Sequence, residues 1–111
     1  MNGQFRRPLS AAAVLLASAA GIGNIAVAKT IRVEVKDLAF VPAQITAHVG
    51  DAIEWMNDDF VVHTATARDG RWDVKLPPHA TGRTVVNGPG TVPYYCRYHP
   101  NMKAQITVVP R

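Results

Sequence analysis

A period of two in the apolar residues constrains the fold of this chain more than any other feature. The alternating or β-branched segments are Ile31–Lys36, Ile45–Val49, Ile53–Trp55, Phe60–Ala67, Thr84–Val86, Thr91–Cys96 and Ala104–Val109. Such segments are typical of half-buried strands. Because no helical period is kept for three turns between Lys29 and Arg111, the sequence predicts an all-β domain.

Turn signals separate these segments at short intervals. Gly50-Asp51, Arg68-Asp69-Gly70 and the cluster Asn87-Gly88-Pro89-Gly90 all lie between predicted strands. Strands at this spacing with Gly and Pro turns favour a sandwich or a barrel. Residues 70–82 carry the weakest pattern, and Pro77-Pro78 predicts a loop or an edge there.

The first 28 residues have the properties of an export signal. Arg6 and Arg7 precede an Ala, Leu, Val and Ser stretch, and Ala26-Val27-Ala28 ends the segment with small residues at the positions that signal peptidase reads. We therefore expect a signal peptide over residues 1–28, cleavage before Lys29, and one periplasmic domain over residues 29–111.

Two alternatives concern the same segment. Leu9–Ala28 has the length of a membrane anchor, although Gly21, Gly23 and Asn24 weaken it as a span. The Arg6-Arg7 pair is also compatible with twin-arginine export, although its flanking residues match that signal poorly.

Charge and cysteine content exclude several classes of protein. The whole chain has a net charge of +4, and two of its twelve basic residues lie in the predicted signal. The domain is thus only mildly basic and has no Lys/Arg run, which argues against a nucleic-acid partner. With one cysteine it has no internal disulfide and no Cys-rich zinc module. A domain of this size often needs a covalent or metal link, so a bound metal is attractive on stability grounds.

Metal-ligating side chains are concentrated near one predicted strand end. Cys96, His99 and Met102 follow one another at intervals of three, and His63 lies in a separate predicted strand. Soft sulfur donors combined with imidazoles select copper, and two His, one Cys and a weak axial Met describe a blue-copper site. Each residue taken alone has an ordinary structural explanation: an inert buried Cys, a strand His, a core Met. Together, in an exported β-domain, they predict a copper centre.

On these residues the chain resembles the cupredoxins, and among them the short-loop, amicyanin-like members. The resemblance covers Lys29–Arg111 and is most specific over Gly90–Met102 and over Gly50–His63, where Trp55-x-Asn57 precedes the first histidine. It implies a Greek-key β-sandwich. It also implies one type 1 copper ion held by His63, Cys96 and His99 in a plane, with Met102 as the long axial ligand.

The resemblance further implies a function and partners. Cupredoxins of this kind are monomeric blue-copper electron carriers without enzymatic activity. They take electrons from a dehydrogenase and pass them to a c-type cytochrome or an oxidase, with the second histidine as the electron port. An exported copper carrier or chaperone using the same ligands is the alternative, and a metal-free adhesion or scaffold domain is the third possibility.

The sequence departs from the family pattern at three places near the ligands. Thr64 stands where Asn usually follows the first histidine, Tyr98 replaces a Pro before His99, and Asn101 replaces an apolar residue. We therefore expect altered hydrogen bonding around the copper ligands. We also expect a reduced apolar docking patch around His99, formed by Val62, Tyr98 and Pro100. His48 and His79 have no ligand-type neighbours in sequence, so no second metal site is expected there.

Overall fold

The computed structural model describes residues 27–111, which form two β-sheets and no helix. The strands are β1 (Thr30–Lys36), β2 (Ala39–Val41), β3 (Gln44–His48), β4 (Ala52–Asn57), β5 (His63–Ala67), β6 (Asp73–Leu76), β7 (Thr81–Val85), β8 (Gly90–Tyr95) and β9 (Lys103–Val109). The predicted signal peptide lies outside the described residues, except for Val27 and Ala28. Among the described residues, no helix has the length and apolar character needed to cross a membrane.

The two sheets form the predicted β-sandwich. One sheet has four strands in the order β2-β1-β4-β7, and the other has five in the order β3-β9-β8-β5-β6. Strands β1 and β4 pair in parallel, as do β3 and β9, whereas the other pairs are antiparallel. Five of the eight connections between the described strands, those that follow β2, β3, β4, β6 and β7, cross from one sheet to the other, as in the Greek-key sandwich that the resemblance implies.

Aromatic side chains fill the space between the sheets. Trp55 and Tyr94 are fully buried, and the Trp55 indole donates a 3.2 Å hydrogen bond to the Tyr94 hydroxyl. Burial raises the pKa of Tyr94 to about 12, despite the opposing effect of this hydrogen bond. Phe40 and Trp72 pack against Tyr94 at ring separations of 4.8 and 5.4 Å. This cluster holds β8, and therefore the start of the Cys96 loop, against the opposite sheet.

The structure corrects the predicted strands in two regions. Phe60, Val61 and Val62 precede β5 in a loop, because Asn57 donates hydrogen bonds to the carbonyls of Val61 and Leu76 and so holds the segment away from a strand partner. Residues 73–76 form the edge strand β6, which confirms the edge expected within residues 70–82. The sequence pattern also missed the three-residue strand β2.

Candidate metal centre

Three predicted ligands meet at one end of the sandwich. His63 begins β5, whereas Cys96 and His99 lie in the loop between β8 and β9. The Nδ1 atoms of the two histidines are 3.2 Å apart, and the Cys96 Sγ lies 3.7 Å from His63 Nδ1 and 3.5 Å from His99 Nδ1. Cys96 and His63 are fully buried, and His99 is partly exposed.

The spacing of these three atoms fits a metal ion. A triangle with sides of 3.2, 3.5 and 3.7 Å has its centre about 2.0 Å from each corner, close to protein metal–imidazole bond lengths. The site places two imidazole nitrogens and one cysteine sulfur within 3.7 Å of one another. This donor set is softer than the oxygen ligands that Mg²⁺ and Ca²⁺ require, and it favours copper.

Backbone hydrogen bonds give the Cys96 loop its tight shape. The His99 amide donates to the Cys96 carbonyl at 3.3 Å, and the Met102 amide donates to the His99 carbonyl at 2.8 Å. The Cys96 amide closes the loop by donating to the Met102 carbonyl at 3.1 Å. Met102 is buried beside His99, whereas Pro100 is exposed. The spacing of three residues from Cys96 to His99 and from His99 to Met102 therefore corresponds to two successive hydrogen-bonded turns of one closed loop.

Thr64 connects β5 to this loop despite replacing the usual Asn. Its amide donates to the Cys96 Sγ at 3.4 Å, and its hydroxyl accepts a 2.9 Å hydrogen bond from the Arg97 amide. The same hydroxyl lies 2.8 Å from the Thr66 hydroxyl, which donates to Asp73 at 2.6 Å. Donors to a thiolate sulfur stabilise its charge and tune the metal that it binds. Thr64 thus connects the Cys96 loop to β5 in place of the usual Asn.

Asp59 is a functional residue that the sequence analysis missed. Its Oδ2 lies 2.8 Å from His63 Nε2, and an ionised carboxylate can only accept a hydrogen bond. Nε2 therefore carries the proton, which leaves the His63 Nδ1 lone pair facing Cys96 and His99. A carboxylate that orients a ligating histidine in this way is a common feature of metal sites.

The same carboxylate also holds an unusual turn. The backbone amides of Asp37 and Leu38, which both have positive φ, donate to Asp59 at 2.7 and 3.0 Å. Burial raises the pKa of Asp59, but the hydrogen bonds from these amides and from His63 outweigh it, so the pKa lies below its usual value. No sequence pattern connects residues 37 and 38 with residue 59, so only the fold shows this contact.

The apolar surface beside His99 is larger than predicted. Tyr98 and Pro100 are exposed as expected, but Val62 is half-buried. Leu38 enlarges this surface, and Phe60 and Val61 are exposed in the segment between Asp59 and His63. Leu38, Tyr98 and Pro100 line a shallow depression of about 380 Å³ with His99. We call these exposed residues, Leu38, Phe60, Val61, Tyr98 and Pro100, the apolar patch.

The two remaining histidines lie away from the three ligands. His48 is exposed on β3, with its Nδ1 3.9 Å from a carboxylate oxygen of Asp51. His79 packs edge-to-face on Phe60 at 5.0 Å. Within residues 27–111, the group of ligating side chains that the structure brings together is His63, Cys96 and His99.

The fold and this donor set define a small metal-binding β-sandwich. The family profile described as a cupredoxin-like domain matches residues 8–108. The chain therefore belongs to the cupredoxin-like family, and its fold is similar to that of solved amicyanin structures.

Three solved structures illustrate the similarity. A copper(I) form of an amicyanin variant has 21% identity and a TM-score of 0.62, with 71% of this chain and 81% of that chain covered. A purple cupredoxin from Nitrosopumilus maritimus has 22% identity and a TM-score of 0.62, with 70% and 98% covered. A copper-containing nitrite reductase from Thermus scotoductus has 27% identity and a TM-score of 0.63, but only 22% of that longer chain is covered.

Proposed function

We propose that the protein is an exported blue-copper electron carrier. One copper ion is bound by His63, Cys96 and His99, with Met102 as the weak fourth ligand. The observation that carries the proposal is the triangle of two Nδ1 atoms and one sulfur, closed from solvent except at His99. When bound, copper supplies a one-electron couple, Cu(II)/Cu(I).

Burial supports electron transfer over enzymatic catalysis. Cys96 and His63 have no exposed surface, and four protein ligands leave no position at which a substrate could bind the metal. A partner protein can approach only the partly exposed His99 and the apolar patch around it. The hydrogen bond that the Thr64 amide donates to Cys96 and the one that His63 donates to Asp59 hold two of the ligands in place before copper binds. A pre-formed site of this kind favours transfer of electrons over release of copper.

Processing before Lys29 is part of this proposal. The backbone nitrogen of Lys29 lies 2.9 Å from the Asp51 Oδ1, and Asp51 is buried. Cleavage at that point would convert this nitrogen into an α-ammonium group. A buried carboxylate is stabilised by an adjacent cation, so the processed chain start would pair with Asp51. This contact supports a domain that begins at Lys29, at a carboxylate that also pairs with Arg111.

A copper titration tests the proposed function. We expect one equivalent of Cu(II) to give an intense blue thiolate-to-copper band, to cycle reversibly with mild redox agents and to resist a competing chelator. The measurements are absorption spectra, a redox titration and a chelator challenge. Rapid transfer of copper to the chelator from a colourless Cu(II) form would instead support the copper carrier or chaperone.

Asp59→Asn should weaken the site without unfolding the protein. The amide keeps one acceptor oxygen but loses the charge, and its NH₂ group opposes an amide donor of the Asp37–Leu38 turn. We expect copper affinity to fall roughly 10- to 100-fold, as for other residues that orient ligands. The reduction potential should rise, because loss of a negative charge favours Cu(I).

Asp58→Asn is the matched control for this prediction. It removes the same charge one residue away, on a side chain that does not contact His63. Chelator competition and redox titration of both variants should show a far larger change in copper affinity and reduction potential for Asp59→Asn than for Asp58→Asn. Equal effects of the two substitutions would show that Asp59 acts only through its charge and does not position His63.

A further inference from the structure

The outer face of the five-stranded sheet carries an ordered row of polar side chains. Register places Asp73 opposite Thr66, Thr66 opposite Tyr95, and Tyr95 opposite Lys103. Residues directly opposite in antiparallel strands point to the same side of the sheet. Tyr94 of the same strand is buried in the core, so this row lies on the outer side of the sheet, where Asp73 and Lys103 are exposed and Thr66 is covered.

Cations dominate this face. The Arg68 guanidinium lies 4.2 Å from the centre of the Tyr95 ring, and Arg97 forms a 3.1 Å ion pair with Asp73. Lys75 is opposite Thr64 and so lies on the same side as Lys103. Within residues 27–111, neither lysine forms an ion pair. We call Arg68, Lys75, Arg97 and Lys103 the cationic face; Asp73 is the carboxylate that pairs with one of its four charges.

The outer face of the other sheet has no such excess. Its exposed cations are Arg32, Lys36 and Arg83, and its carboxylates are Glu34, Glu54 and the adjoining Asp58. Arg32 already pairs with Glu54 at 3.0 Å. Positive charge is therefore concentrated on the sheet that supplies the His63 and Cys96 segments.

The cationic face adjoins the metal centre. Arg97 directly follows Cys96, and its guanidinium lies 5.5 Å from the centre of the Tyr98 ring in the apolar patch. On the other side of the patch, Asp37 and Asp59 lie next to Leu38. A partner that covers His99 therefore meets positive charge on one side and negative charge on the other.

We propose that the cationic face is the docking surface for an acidic redox protein, whose carboxylates lie on Arg97, Lys75, Arg68 and Lys103 while its redox centre approaches His99. The inference rests on the proposed electron-carrier function and adds the chemistry of the partner. Complementary charge accelerates association and fixes orientation, and salt screens it. The acidic side of the patch disfavours the reversed orientation.

An anionic oxidant tests the electrostatics. One electron passes from the Cu(I) protein to hexacyanoferrate(III), giving the Cu(II) protein and hexacyanoferrate(II). Lys75→Gln/Lys103→Gln should lower the second-order rate constant roughly three- to tenfold at about 0.01 M ionic strength, with the difference vanishing near about 0.5 M. The control Lys36→Gln/Arg83→Gln removes two exposed, unpaired cations from the other sheet and should change the rate much less. Equal effects of the two double variants would overturn the inference.

Deca-glutamate tests docking of an acidic chain independently of electron transfer. In ¹H–¹⁵N spectra of the full protein, its addition should shift the amides of Arg68, Tyr95 and Arg97, and the shifts should be lost in Lys75→Gln/Lys103→Gln. Shifts centred on the four-stranded sheet, or none, would overturn the inference. A missing blue band with these shifts present would contradict the electron-carrier function alone.

Discussion

Cys96→Ser should abolish the blue absorption and most of the copper affinity. The Cys96 sulfur lies within 3.7 Å of both histidine nitrogens and is the acceptor of the Thr64 amide, so it is the centre of the donor set. A serine oxygen is a harder donor and stays protonated at neutral pH, and it cannot give the thiolate-to-copper band. We expect an affinity loss beyond the roughly 10- to 100-fold that removal of a supporting residue causes.

The substitution leaves the fold nearly unchanged, which makes it a clean test. Serine and cysteine differ by one atom, and the buried Cys96 packs in a loop closed by backbone hydrogen bonds. Copper titrations followed optically, with circular dichroism to check the fold, measure the effect. His48→Gln is the control, since it removes an exposed imidazole remote from the three ligands and should keep the band. A blue band in Cys96→Ser would eliminate the proposed ligand set.

The fold was predictable where one face of a strand is buried and the other is not. Strands β1, β3 and β9 follow the alternation closely, because each lies on one side of the core. Strand β2 has three residues, too few for a period of two to be recognised. The β-branched stretch after Phe60 predicted a longer β5, but hydrogen bonds from Asn57 hold its first residues in a loop. Local propensity is overridden there by contacts from elsewhere in the fold.

The candidate site was predictable to the extent that its residues are close in sequence or of rare type. Cys96, His99 and Met102 lie within one short loop, and His63 in a separate predicted strand supplies the second histidine that a blue-copper site needs. Asp59 was not predicted, because its contact with His63, four residues on, depends on the irregular loop between β4 and β5, and its contacts with Asp37 and Leu38 depend on the fold. The apolar patch was underestimated for the same reason, since Leu38 reaches it through the Asp37–Leu38 turn.

Removal of copper should lower the thermal midpoint by roughly 15–30 °C. A metal that binds the native state alone stabilises it by about 4 kcal/mol at about a thousandfold excess over its dissociation constant. In a domain of this size each kcal/mol shifts the midpoint by about 4–8 °C. The structural reason is that copper joins His63 at the start of β5 to the loop between β8 and β9.

The metal also relieves a cost that the copper-free fold carries. Two imidazole nitrogens 3.2 Å apart and a buried thiol face one another, and apart from the Thr64 amide on the sulfur, no other hydrogen-bond donor among the described residues reaches these three atoms. The effect on the midpoint should therefore depend on the ligands and not on copper in general. Calorimetry of wild type and Cys96→Ser, each with and without one equivalent of copper, distinguishes stabilisation through these ligands from a general effect of copper on the protein. The large increment should appear in the wild type alone, whereas equal midpoints with and without copper in the wild type would contradict a native-state metal site.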